Sequence, residues 1–335
     1  MYSIISPFLL SLPLLSLAGH GSPTFGHKRH HTALKRRTSY TLEDIYRGKD
    51  FLNSSQWTFY SSADPTDGLV NYLDSQDAQK NGLAYVQDDG TAVLAVDNYT
   101  TLTSGQNRNS VRIATTKSYN GGLFIADIWA MPYGCSLWPA YWSVGPDWPA
   151  GGEIDIMEGV NLNKNNQMTL HTSAECSIES AVSKLVRENI SMGNLDCASS
   201  NSDNTGCLFI DNDSRSYGQG FSNQGGGVYA HEWNESAIKI WFFARDAIPS
   251  DIANQTPDPS SWGEPVSVFS GSSCDLSSHF YEHTLTFDIT LCGVWAGDAF
   301  GSSGCSGSCA DTVADPSNFH NARWKINYIA SYQTS

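Results

Sequence analysis

Three carboxylates crowd one short stretch of this chain, Gly151-Gly152-Glu153-Ile154-Asp155-Ile156-Met157-Glu158-Gly159, with apolar residues between them. On a β-strand alternate side chains share a face, so Glu153 and Asp155 point one way while Ile154 and Ile156 point into the opposite layer. Strict alternation turns Glu158 away. A single β-bulge at Met157 absorbs one residue and returns Glu158 to the face of Glu153. Two carboxyls so placed stand about 5 to 5.5 Å apart, the spacing at which one acid serves as nucleophile and the other as acid and then base in retaining glycoside cleavage. Like charges that close do not both ionise cheaply, so one stays protonated near neutral pH. Asp155, between them, is placed to hydrogen-bond Glu153 and hold its rotamer. The bland alternative is an acidic sheet face that meets solvent or a cation.

Aromatic residues speak against that alternative. Trp129, Trp138, Trp142 and Trp148, four of the ten tryptophans, lie just before Glu153. Sugar rings pack their C–H faces on indole while their hydroxyls seek amides, acids, histidine and arginine, so a trough of this kind suits a polysaccharide. The alternating run around Trp129 marks that residue as core, whereas the Pro- and Gly-rich surroundings of Trp148 mark it as exposed.

The elements that must position these groups read as β. Short period-two runs occur at 91–96, 111–116, 122–129, 168–171, 238–243 and 284–289, separated by clusters of Gly, Ser, Asn and Asp. Only 42–47 and 178–189 carry a helical pattern, and both are short. The spacing predicts an all-β sandwich without internal repeats, and residues 39–335 are read as one domain. Residues 1–18 form an apolar segment ending Ser16-Leu17-Ala18, too short to span a bilayer and read as a signal peptide. Residues 19–38 form a basic leader and candidate propeptide.

Charge narrows the partners. There are 19 Lys and Arg against 34 Asp and Glu; five of the positives and none of the acids precede Ser39, leaving 14 − 34 = −20 from there onward. That field repels phosphate backbones and anionic lipid surfaces, so nucleic acid and membrane insertion are not expected and a neutral substrate is. Eight cysteines predict disulfides in an extracellular or wall-associated protein, with the pairing open. Sequons at Asn53, Asn98, Asn189, Asn212, Asn234 and Asn254 agree with a secreted glycoprotein. Cys305 and Cys309 form a CxxxC without the partners of a zinc site. No cofactor or metal is predicted, although surface carboxylates are compatible with a structural Ca²⁺. The chain has no Gly-x-Ser-x-Gly elbow, phosphate loop or His-Glu-x-x-His pair.

Trp138-Pro139-Ala140-Tyr141-Trp142 followed by Gly151 to Asn161 resembles the laminarinase-like branch of glycoside hydrolase family 16, in particular its secreted fungal endo-β-1,3(4)-glucanases. Asp64-Pro65-Thr66-Asp67-Gly68, Val70-Asn71-Tyr72, Thr169-Leu170-His171-Thr172, Trp241 to Arg245 and Pro257 to Gly263 extend the likeness over roughly 40–332. The resemblance implies a concanavalin A-like β-jelly-roll with a concave cleft for endo-cleavage of β-glucans with retention. It implies Glu153 as nucleophile, Asp155 as its assisting acid and Glu158 as general acid/base. It further implies His171 beside the acids, and Asn71, Arg112, Trp148 and Trp295 as glucose contacts. Val294 stands where many relatives carry Asp, and His231 where relatives often carry Met. The expectation is an endo-β-glucanase acting on β-1,3 or mixed β-1,3/1,4 linkages as a monomer. The alternatives are a transglycosylase on the same carboxylates and a non-catalytic glucan-binding lectin, the latter disfavoured by the complete acidic trio.

Overall fold

Glu153–Glu158 is an inner strand of an eight-stranded antiparallel sheet whose order is Ile190–Met192, Cys207–Asp211, Asn166–His171, Glu153–Glu158, Leu137–Val144, Thr284–Leu291, Arg112–Thr115 and Trp57–Phe59. This computed structural model describes residues 39–334 apart from residue 201. The expected signal peptide and leader lie outside the described residues. Period-two patterning explains how the sheet divides its residues. Ile113, Tyr141, Ile154, Phe287 and Ile289 are fully buried between the sheets, while Arg112, Trp142, Asp155 and Asp288 occupy the opposite face.

A second eight-stranded sheet packs behind it. Its order is Ser267–Ser270, Ala237–Ala244, Gly227–Trp233, Gly122–Ala130, Arg323–Thr334, Ala92–Ala95 and Ala84–Val86, with Tyr40–Arg47 also paired to Arg323–Thr334. Gly122–Ala130 is apolar on both sides for a reason. Phe124, Ala126 and Ile128 enter the core between the sheets, and Leu123 and Ile125 lie under an outer cover that includes Ile252 and Trp262. The architecture is the expected jelly-roll sandwich. Trp57 shows what holds it together: fully buried, it stacks on Phe51 and meets Tyr46 edge-on, so truncation to alanine would cost about 3–5 kcal/mol.

Three sequence expectations are corrected. Residues 42–47 are not helical; Tyr40–Arg47 is a strand whose backbone is satisfied by Arg323–Thr334, and tertiary pairing overrides a local pattern worth only tenths of a kcal/mol per residue. Residues 178–189 form only a short 3₁₀ turn, Ser180–Lys184, in a segment tied by the Cys176–Cys274 bridge. Trp129 is 38 % exposed rather than core, because alternation places it on the outer face; the Arg245 guanidinium lies 3.8 Å from its ring centroid.

All eight cysteines pair, as Cys135–Cys305, Cys176–Cys274, Cys197–Cys207 and Cys292–Cys309. Cys305 and Cys309 thus bond to different partners and pin the Gly301 to Ser308 loop. Two bridges bear on the acids: Cys197–Cys207 brackets the loop holding Ser199, and Cys292–Cys309 begins at the residue before the π-helical segment Gly293–Gly297 with Trp295. Among the described residues no helix is long and apolar enough to cross a membrane.

Candidate active site

The acid strand carries the bulge that its spacing required. Asp155 faces Thr169 and Glu158 faces Gln167, three steps against two on one side; Asp155 faces Trp142 and Met157 faces Tyr141, two steps against one on the other. The extra residue is therefore Ile156, one position before the Met157 expected. Ile156 and Met157 are both fully buried in the core, which leaves Glu158 on the face of Glu153 and Asp155.

Asn166 holds this irregular backbone. Its side-chain oxygen accepts from the Glu158 N–H at 3.0 Å, and its amide donates to the Ile156 carbonyl at 2.8 Å. A bulge strips two groups from the ladder, and one buried amide restores both. Gly159 completes the turn from the strand, because a Cβ there would stand 2.8 Å from the Tyr217 ring.

The acids form a tight group with His171. One polar atom from each of Glu153, Asp155 and His171 lies within 4.8 Å of the others. His171 Nε2 is 3.2 Å from Asp155 Oδ2, and its Nδ1 is 2.9 Å from Ser199 Oγ. Gly206 permits this close packing, since a Cβ there would stand 2.8 Å from the imidazole. Two carboxylates and an imidazole are also a possible cation donor set, and among the described residues no other cluster qualifies.

Electrostatics divide the protons. Burial, then the neighbouring Asp155, pushes the Glu153 carboxyl up to about 8, while His171 and then the Trp148 indole N–H pull the other way. Burial also raises Asp155. Glu158 is held well above the usual carboxylate range by burial and by Asp155, opposed by the Trp138 indole N–H that donates to its Oε1 at 2.8 Å. The trio cannot all be ionised at neutral pH, so at least one of its carboxyls keeps a proton to give.

The remaining expected residues divide by position. Trp295 meets Trp138 edge-on with centroids 5.5 Å apart, beside Glu158. Arg112 lies between two rings, 4.8 Å from Trp142 and 4.9 Å from Tyr60. Trp148 is half-buried rather than exposed, in a loop with a cis Trp148-Pro149 peptide. Asn71 is not on this sheet: it is exposed on Val70–Tyr72, which pairs in parallel with Arg108–Ser110, and its amide donates to Asn109 at 2.7 Å. Val294 is exposed next to Trp295, and His231 is buried against Phe124, far in role from the acids.

Residues 57–332 match the profile described as the XgeA-like catalytic domain of glycoside hydrolase family 16. The chain belongs to glycoside hydrolase family 16. It is 40 % identical over 305 residues to a probable glycosidase of Schizosaccharomyces pombe, covering 90 % of this chain and 71 % of that protein. To the endo-1,3(4)-β-glucanase XgeA of Emericella nidulans it is 40 % identical over 307 residues, 88 % of this chain and 48 % of the relative. The chain thus spans about half the length of that glucanase. The family 16 laminarinase 16A of Phanerochaete chrysosporium, solved with β-glucans in donor and acceptor sites, superposes with a TM-score of 0.83 at 43 % identity, covering 88 % of this chain and 100 % of that one. An elongating family 16 β-1,3-glucosyltransferase superposes at 0.82 with 41 % identity, over 88 % and 100 %.

In this family 16 chain, sequence reasoning missed Asn166, Ser199 and Asp288. Asn166 shares the core-facing side of its strand with Met168, and an amide at such a position opposite a suspected bulge is a readable signal. Asp288 lies in the alternating run Thr284–Leu291, whose polar members Thr286, Asp288 and Thr290 all fall on the face of the acids.

Proposed function

We propose that this chain is a secreted endo-β-glucanase that hydrolyses internal β-1,3 or mixed β-1,3/1,4 bonds with retention of configuration. The observation that carries the reading is the bulged strand, which aims Glu153 and Glu158 from one sheet face with a proton to share between them. Ionised Glu153 attacks the anomeric carbon while protonated Glu158 gives its proton to the leaving glycosidic oxygen. A covalent glycosyl ester results. Glu158, now a carboxylate, takes a proton from water as that water attacks the anomeric carbon, and Glu153 departs. Asp155 shares a proton with Glu153, and His171 fixes Asp155 in place. No metal or organic cofactor is needed for these steps.

Trp138, Trp148 and Trp295 supply aromatic surface around the acids, with Arg112 and Asn71 as polar contacts to glucosyl units. Exposed or half-exposed sequons, four disulfides and the apolar first 18 residues support secretion and glycosylation. Transfer to an acceptor sugar is the second reading, favoured by the likeness to the elongating glucosyltransferase. The test is reducing ends released from laminarin and barley mixed-linkage glucan, with product lengths followed by chromatography. Shorter products throughout support hydrolysis, chains longer than the starting oligosaccharide support transfer, and binding without cleavage would leave only a lectin.

A further inference from the structure

Asp288 is a carboxylate that the reaction above does not use. It is 6 % exposed; the Arg112 charge and a backbone hydrogen bond at Ala140 favour its ionised form against burial, and Trp324 Nε1 donates to its main-chain carbonyl. Its charged neighbours are Arg112, Asp64, Glu153 and Asp155. Asp64 is committed elsewhere, its Oδ2 accepting from the backbone N–H groups of Thr66 and Gly68. A buried carboxylate held by one arginine's charge and one backbone N–H still has lone pairs to offer.

The register says what lies around it. Asp288 pairs with Ala140, and Ala140 pairs on its other side with Glu158. Neighbouring strands are about 4.8 Å apart, so Glu158 and Asp288 stand roughly 10 Å from each other across a floor of one methyl group. Along the same strand Trp138 and Trp142, two residues to either side of Ala140, share its face. Trp138 is drawn to Glu158 by its hydrogen bond and to Trp295; Trp142 is held under Arg112. Both large rings are therefore fixed toward neighbours on either flank. Ala140 is left as the floor of a bay with an indole at each end, the general acid/base on one side and Asp288 on the other. Arg112, paired with Asp288 on the next strand, stands behind it.

We infer that Asp288 is a specificity-determining residue, accepting a hydrogen bond from a ring hydroxyl of the glucosyl unit seated over Ala140 between Trp138 and Trp142. The chemistry fits a neutral, hydroxyl-rich ring: the carboxylate accepts, and the arginine behind it donates to an adjacent oxygen. A sugar with that hydroxyl missing or inverted leaves a buried lone pair of the carboxylate unpaired, which is how a polar site rejects a near-isostere. This rests on the glucanase reading.

The test is a cycle between protein and substrate. Wild type and Asp288→Asn are assayed on a laminarioligosaccharide and on its monodeoxy analogues, altered one hydroxyl at a time in the units flanking the cleaved bond. One analogue is expected to cost wild type about 10- to 100-fold in kcat/KM and to cost Asp288→Asn less than about threefold, the non-additivity that marks a direct contact. Asp288→Ser enters the same cycle if the asparagine variant does not fold. Equal penalties in wild type and variant for every analogue would overturn the inference, as would a wild-type rate for Asp288→Asn on the parent. A change in pH profile alone, with penalties intact, would overturn it too, because Asp288 would then act only through its charge. Absence of cleavage by wild type would instead contradict the glucanase reading itself.

Discussion

His171 Nε2 lies 3.2 Å from Asp155 Oδ2 while its Nδ1 lies 2.9 Å from Ser199 Oγ, so one imidazole ties the middle acid to a loop on the far side of the neighbouring strand. The ring orients Asp155, and Asp155 in turn sets the charge of Glu153. His171→Ala is expected to lower kcat by about 10²-fold with a much smaller change in KM, the mark of a group that acts in the transition state. Ser199→Ala, which loosens only the ring, should cost less than about tenfold. Steady-state kinetics on laminarin check both; a KM effect alone would contradict the role.

Trp138 is both an aromatic wall and a hydrogen-bond donor to Glu158. Trp138→Phe keeps the ring and removes the N–H. That N–H lowers the Glu158 pKa, so its loss raises it, and the alkaline limb of the kcat profile should move to higher pH. A limb that stays put would show that the donor does not act on the acid/base.

Asn166→Ala removes the side chain that bonds both freed backbone groups of the bulge. Two buried backbone groups lose partners at about 1–3 kcal/mol each, so the variant should be less stable by roughly 2–5 kcal/mol. Urea unfolding reads the loss. Activity should fall further than stability explains, because Glu158 is no longer aimed.

Stability should vary with pH in two opposed ways. Glu153 and Glu158 have raised pKa values in the fold, so between their ordinary range and about 8 the folded state binds more protons than the unfolded chain, and stability falls as pH rises through that window. Buried His231 and His283 are pushed down, by burial first, to about 3 and about 4. They stay neutral while the unfolded chain protonates, so stability also falls as pH drops below about 6.5. Thermal unfolding should therefore show a maximum on the mildly acidic side. Glu158→Gln should flatten the alkaline slope and His283→Asn the acidic one. His283 also bonds Ser143 Oγ at 2.9 Å and the Gly151 carbonyl at 2.8 Å, so its variant should lose affinity through the Trp148 loop.

The acid trio and its bulge were legible because a strand has one period, and three acids at 153, 155 and 158 break it once. The sandwich followed from the same periodicity. The Tyr40–Arg47 strand was not legible, since its partner lies nearly 300 residues away and its local pattern favours a helix. Disulfide pairing and the role of Asn166 depend on which strands become neighbours, which composition does not encode. Trp129 and Trp148 misled for the opposite reason: alternation tells which face a ring occupies but not what covers that face, and loop composition does not tell what the loop folds against.

The central claim is the division of labour between Glu153 and Glu158. Reducing-end release from laminarin by wild type, Glu153→Ala and Glu158→Ala, on folded proteins, tests it most directly. The account predicts that wild type cuts the polymer and that both variants lose nearly all of the rate. Retention of wild-type activity by either variant would contradict the assignment of that carboxylate.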